Sequence, residues 1–190
     1  YIADQVCSET GKTRPEALLS DVLPTLEILR YLERKLPGIL RSEKRPTPLI
    51  YRACTSRVEY HPRGVVLVIA PWNNPFQLSM VPIASALGAG NAVVLKPSER
   101  TPETGHLIED LCREIDINGP ALQVVQGGGD VAADLAKAGP DMIFFTGSTD
   151  TGRAVLATAN EHLIPVVLEL GGKDPMIVFP DANLQRAARA

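Results

Sequence analysis

Ile164-Pro165-Val166-Val167-Leu168-Glu169-Leu170-Gly171-Gly172-Lys173 is an apolar, β-branched run that ends on one carboxylate and a pair of glycines. Its length and composition are those of a buried strand. Runs of continuous apolar character belong to parallel sheets covered on both faces. In such sheets ligands sit just beyond the carboxyl ends of the strands. Glu169 therefore stands where chemistry is usually done, and Gly171 and Gly172 let backbone or ligand approach closely. The same letters also fit a strand end with a solvated Glu and a glycine turn. The choice rests on what the other strand ends carry.

Upstream the pattern is regular. Val65 to Ala70, Ala92 to Leu95, Leu122 to Val125 and Met142 to Phe145 read as strands. Between them Pro75 to Leu87, Pro102 to Ile115, Asp130 to Ala138 and Ser148 to Glu161 read as helices, with Thr101 and Ser148 as caps. This β-α alternation predicts an α/β fold: a doubly wound, open parallel sheet of Rossmann-like type, preceded by N-terminal helices. Downstream, Pro175 to Phe179 reads as one more strand.

Residues 1–47 read as helical. Gly11 is a helix stop and Pro15 a first-turn residue. Leu18, Leu19, Val22, Leu23, Leu26, Leu29 and Leu36 form a stripe expected to dock on the sheet domain. Pro24 is expected to kink or divide that helix, and Pro37-Gly38 to end it. Residues 48–62 read as a connector with a half-exposed strand, Thr55 to His61, that needs a partner within the protein or in another subunit. Residues 63–170 form the sheet domain, and 171–190 begin another. Tyr1 is not an initiator Met, and the last residues read as a helix just begun, so the sequence reads as a piece of a longer chain.

Bulk composition narrows the class. The 190 residues are 45% hydrophobic and 22% charged, as in globular domains. A net charge of −3 gives no basic field for nucleic acid. The apolar runs are too short for a transmembrane segment. Cys7, Cys54 and Cys112 lie far apart, which suits reduced thiols in a cytoplasmic protein. His61, His106 and His162 have no ligand spacing, so no metal is expected.

The strand ends hold polar groups. Pro71-Trp72-Asn73-Asn74-Pro75 fixes a carboxamide between two prolines, where it can aim an NH2 at a developing oxyanion; an Asn-rich turn is the plainer reading. Lys96 and Glu99, across Pro97, can grip a ribose diol or form a solvated ion pair. Gly127-Gly128-Gly129 is not G-x-G-x-x-G, so the usual dinucleotide fingerprint is absent. Gly147 opens onto a helix N-terminus suited to a pyrophosphate. The spacing Gly147 to Gly152 imitates a Walker A loop, but Arg153 and Ala154 replace its Lys and Ser/Thr, which rejects an NTPase.

PWNNP (71–75), LKPSE (95–99), FTGSTDTGR (145–153) and ELGGKDP (169–175), in that order, resemble the aldehyde dehydrogenase superfamily. The phrase from His162 to Glu169 is most similar to the branch that oxidises fatty and aromatic aldehydes. The resemblance implies roles. Asn73 would stabilise the oxyanion of a cysteine thiohemiacetal, and Glu169, its pKa lifted by burial, would activate water against the thioester. Trp72, Lys96, Glu99, Gly129, Gly147, Ser148, Gly152, Leu170 and Gly171 would meet NAD, with NADP possible and disfavoured by Glu99. Trp72 and Phe76 would contribute to an aldehyde tunnel. The nucleophilic cysteine would lie beyond Ala190. The family further implies a homodimer or homotetramer. Thr151 and Asp130 depart from the apolar residues common at those places. A CoA-acylating or semialdehyde dehydrogenase, or a non-catalytic nucleotide-binding or structural relative, is the alternative.

Overall fold

The computed structural model describes residues 1–117 and 119–189. Five parallel strands form the main sheet: β3 (Val65–Ile69), β4 (Ala92–Lys96), β5 (Leu122–Val124), β6 (Met142–Gly147) and β7 (Val166–Leu170). Their spatial order is β5-β4-β3-β6-β7, so the winding reverses between β3 and β6. The crossover helices are α4 (Pro75–Gly88), α5 (Pro102–Glu114), α6 (Gly129–Lys137) and α7 (Thr149–Glu161).

The central strands β3, β4 and β6 pack side chains on both faces, as their apolar runs require. Along β3, Val66 and Val68 pack with Val93, Leu95, Phe76, Ile83 and Ile108 on one face. Leu67 and Ile69 pack with Ile143, Phe145, Val155 and Ala159 on the other. The first layer is built from α4, α5 and the N-terminal helices, the second from α6 and α7. The expected doubly wound α/β fold is what the chain adopts.

The N-terminal helices are α1 (Ile2–Thr10), α2 (Arg14–Ala17), a π-turn over Leu18–Val22, and α3 (Leu23–Ile39). Gly11 ends α1 in the left-handed conformation (φ 74°) and donates its N–H to the Cys7 carbonyl. Pro24 neither breaks nor divides this run. It stands in the first turn of α3, straight after the π-turn, where a missing N–H is tolerated. The helix also runs past Pro37 and Gly38 to Ile39.

The buried stripe differs from the leucine stripe expected. Ala17, Asp21 and Thr25 are buried, whereas Leu18, Leu19, Leu23 and Leu26 are exposed. Small side chains at i, i+4 and i+8 let this helix approach α4 closely. At the far end Leu36 lies against Gly88, where a Cβ would come within 2.6 Å of Leu36 Cδ2.

Two carboxylates of this layer cap crossover helices. Glu9 accepts the backbone N–H groups of Glu103 and Thr104, each at 2.8 Å, at the start of α5. The hydroxyl of Thr101, the N-cap residue, consequently has no hydrogen-bond partner among the described residues. Asp21 accepts the N–H groups of Phe76 and Gln77 at the start of α4.

Residues 43–47 are not helical. β1 (Glu43–Arg45) pairs antiparallel with β2 (Ser56–Val58), so the half-exposed strand finds its partner within the chain. Pro175 to Phe179 is not a strand: Met176, Ile177 and Phe179 stand exposed, with no neighbouring strand to pair with among the described residues. A short α8 (Leu184–Ala187), capped by Asn183, follows. No described helix is long and apolar enough to cross a membrane.

Candidate active site

Three adjacent strands, β3, β6 and β7, deliver their carboxyl ends to one cleft of about 720 Å³. Trp72 and Asn73 follow β3, Gly147 and Ser148 end β6, and Glu169, Leu170 and Gly171 end β7; all line it. The cleft sits where the winding reverses, the place at which a doubly wound sheet opens to ligands. In the β6–β7 register Thr146 faces Glu169 and Gly147 faces Leu170. The ladder continues one residue further, with the Gly171 N–H donating to the Gly147 carbonyl at 3.3 Å.

Ser148 caps α7, accepting the Thr151 N–H at 3.2 Å. Its hydroxyl also lies 2.9 Å from the Thr151 hydroxyl, so the polar end of Thr151 is absorbed into the cap. A three-turn helix thus points its positive end into the cleft beside Gly147. Glu169 is exposed on the cleft wall, so the burial expected of it is not present here.

Lys96, Glu99, Gly129 and Gly152 do not line this cleft. Lys96 ends β4, the strand on the other side of β3, and its buried stem carries Nζ to 3.5 Å from Glu99 Oε2. The backbone N–H of Glu99 itself holds that carboxyl below the usual carboxylate range, against the opposing effect of partial burial and with help from Lys96. Gly129 opens α6 beyond the edge strand β5 and is exposed. Gly152 is buried in α7, where a Cβ would meet Leu170 Cδ2 at 2.6 Å, so its part is to seat Leu170. Phe76, expected in a substrate tunnel, is instead buried in the core.

The sequence reading passed over several residues. Gln77, Leu78, Val81 and Pro82 of α4, with Phe144 of β6, line the cleft. The available signal was that α4 is apolar nearly all round, which marks a helix with two covered faces. Arg100 lies over the Trp72 ring, 5.5 Å from its centroid, and ties the end of β4 to the end of β3. Lys12 and Asp21 reach the same loop from the N-terminal layer.

No cysteine lines the cleft. Cys112 is buried in α5, where burial pushes its thiol pKa up; Cys54 is exposed beside a 3₁₀ turn, and Cys7 is half-buried against the core. No cluster of three or more His, Cys, Asp or Glu side chains fit to hold a metal occurs among the described residues. A cleft with a carboxamide, a carboxylate and a helix N-terminus can bind an anionic cofactor, steady a developing oxyanion and accept a proton from water.

Residues 1–190 match the family model described as "Aldehyde dehydrogenase family". The chain is 49% identical over 192 residues to a 4,4'-diapolycopene aldehyde oxidase of a Methylomonas species, covering 98% of this chain and 36% of that protein. Among solved structures, the substrate-bound state of Staphylococcus aureus AldH has a TM-score of 0.88 at 36% identity, covering 96% of this chain and 40% of that one. The Mycobacterium tuberculosis aldehyde dehydrogenase complexed with NAD+ has a TM-score of 0.83 at 32% identity, covering 90% and 35%. The chain therefore spans little more than a third of the length of these proteins.

Proposed function

The chain belongs to the aldehyde dehydrogenase family, and on that premise we propose that residues 63–170 are the NAD(P)-binding domain of an enzyme that oxidises an aldehyde to a carboxylic acid. Residues 171–190 begin its catalytic domain. The observation that carries this reading is the meeting of Asn73, Glu169 and the α7 N-terminus in one cleft.

The residues suit a dinucleotide. The amides at the start of α7 bind the pyrophosphate, with Ser148 and Gly147 leaving room for close approach. Gly147 has no space for a side chain, since a Cβ would meet the Phe145 ring at 2.6 Å. Lys96 and Glu99 hold the adenosine ribose, and Leu170 and Gly171 flank the nicotinamide. Gly129 and Gly152 act less directly, the first by opening α6 and the second by seating Leu170. Bound NAD supplies the hydride acceptor.

Each remaining step falls to the protein. A cysteine thiolate from outside these residues attacks the aldehyde, and the Asn73 NH2 donates to the oxyanion that forms. Trp72 shapes the wall beside it. After oxidation leaves a thioester, Glu169 takes a proton from water as water attacks the acyl carbon. The thiolate departs and the acid is released. A hydrolytic base in the cleft favours this route over transfer to CoA.

The cleft wall formed by Trp72, Leu78, Val81, Pro82, Phe144 and Leu170 is apolar, which suits a long hydrocarbon aldehyde. The name of the Methylomonas relative points the same way. A cytoplasmic homodimer or homotetramer completes the reading, with the exposed β1–β2 ribbon as its contact.

The test uses the protein encoded by the complete reading frame. NADH formation from a long-chain aldehyde is followed by absorbance. Glu169→Gln should remove turnover and keep NAD affinity. Full turnover by that variant, or none by the unaltered enzyme with any aldehyde, would falsify the reading.

A further inference from the structure

We infer that Asp21 and Lys12, in the N-terminal helical layer, are positioning residues that set the Pro71–Pro75 loop and so aim the Asn73 carboxamide; the inference rests on the dehydrogenase reading of the cleft. Asn73 makes no hydrogen bond among the described residues and is exposed at the cleft, so its aim depends on what holds its neighbours.

Four anchors hold them. On the strand side, the Ala70 N–H donates to the Lys96 carbonyl at 3.1 Å. Trp72 is covered by Arg100. On the helix side α4 starts at Pro75, and Asn74, its N-cap residue, makes no capping hydrogen bond of its own. Asp21 does that work from a distance. Its Oδ1 accepts Phe76 N–H at 3.1 Å and Gln77 N–H at 3.3 Å. Its Oδ2 accepts Lys12 Nζ at 2.8 Å and the Ser20 hydroxyl at 3.1 Å. The fourth anchor is Lys12 itself. Its ammonium donates to Ser20 Oγ, Asp21 Oδ2 and Asn74 Oδ1, which uses all its hydrogens.

Asp21 is fully buried and Lys12 largely so. A buried pair like this is poor as a stabiliser in itself, because desolvation offsets much of the attraction. Its directional value is high: removing either partner moves the loop. Asp21 also lies on the π-turn, a geometry often found at functional positions, and its side chain reaches the start of α4. The groups that Lys12 and Asp21 tether, the Asn74 side chain and the Phe76 and Gln77 amides, all follow Asn73 within four residues and so fix the loop at its helix end.

The test is a double-mutant cycle in the complete enzyme. Asp21→Asn should lower kcat about ten- to a hundredfold, the scale of a misplaced catalytic group. Asn74→Ala, which cuts the Lys12 tether without stranding a charge, should lower kcat about threefold. The Michaelis constant for aldehyde and the dissociation constant of NAD should stay within about twofold, because Asn73 acts on the transition state. On an Asn73→Ala background neither change should cost anything more. Fully additive losses, or folded variants with normal kcat and only a lower melting temperature, would overturn the inference. If Asp21→Asn fails to fold, the Asn74→Ala cycle decides alone. An Asn73→Ala enzyme with unaltered kcat sinks the dehydrogenase reading itself, and is recognised by that one variant.

Discussion

Arg100 sits over the face of Trp72, its guanidinium carbon 5.5 Å from the ring centroid, so the ends of β3 and β4 are clasped across the mouth of the cleft. Trp72 is the chain's one tryptophan and half exposed, which makes it a spectroscopic reporter of that mouth. Adding NAD should change its fluorescence in a saturable way. Arg100→Ala should shift the emission of the unliganded protein and cost about 0.5–1 kcal/mol of stability, the range for an exposed cation–π contact. A flat titration would remove Trp72 from the cofactor's surroundings.

Glu99 should set the preference for NAD. Its carboxyl is held ionised chiefly by its own backbone N–H, so it should repel the extra phosphate of NADP through the neutral and mildly acid range. A lowered carboxyl pKa means that this charge is present above the ordinary value of about 4.3 and fades only as pH falls through the lower folded value. Glu99 therefore stays ionised from pH values of about 7 to about 5, and a change in the NAD-to-NADP affinity ratio over that range reports the NADP phosphate, whose second ionisation lies at about 6. Glu99→Gln should reduce that ratio about tenfold, a change of about 1.4 kcal/mol. Paired titrations of both cofactors read the effect.

Gly152 and Gly147 should respond differently to alanine. At Gly152 the new Cβ meets the tip of Leu170, which is 40% exposed and can swing outward. Stability should change by less than about 1 kcal/mol, helped by better helix propensity. Leu170 would then be displaced at the nicotinamide, and NAD affinity should fall. At Gly147 the Cβ meets the buried Phe145 ring, which has no such exit. That variant should lose about 1–3 kcal/mol as an overpacked core does. Urea unfolding beside NAD titration separates the two.

The thiols should react in order of exposure. Cys54 reacts with a thiol reagent first, Cys7 slowly, and Cys112 only on unfolding. Burial raises the Cys112 pKa, so the folded state keeps the proton longer. The associated stability is complete below the ordinary thiol value of about 8.5 and is lost as pH rises through the raised one. Cys112→Ala should remove that alkaline loss, visible as a flatter stability profile at high pH.

The sheet was legible because its signals are local. Four of the five strands are apolar runs, and the crossover helices α4, α5 and α7 have a proline, threonine or serine at their starts. The motifs around Asn73, Lys96, Ser148 and Glu169 were legible for the same reason, since each sits where a run ends. What escaped was nonlocal or sparse. Glu43-Lys44-Arg45 has no apolar residue to mark a strand, and its pairing with Ser56–Val58 comes from backbone bonds alone. In the α2–α3 helix the leucines drew the eye, while close packing on α4 selected Ala17, Asp21 and Thr25, with the π-turn shifting the phase. Asp21 gives no local sign of its part, because the N–H it caps lies 55 residues away. Pro175 to Phe179 misled because composition reports a strand's readiness to pair and not the presence of a neighbour.

The two borrowed caps impose an order on folding. Glu9 leaves the ribosome 94 residues before the Glu103 amide it will hold. At about 5–20 residues per second that interval is about 5–20 s. Asp21 waits for a shorter stretch of chain. Throughout, both carboxylates remain hydrated, and the first helices have nothing to close upon. They dock only when the nascent chain has supplied the amides at the starts of α4 and α5, so the layer made first is completed late.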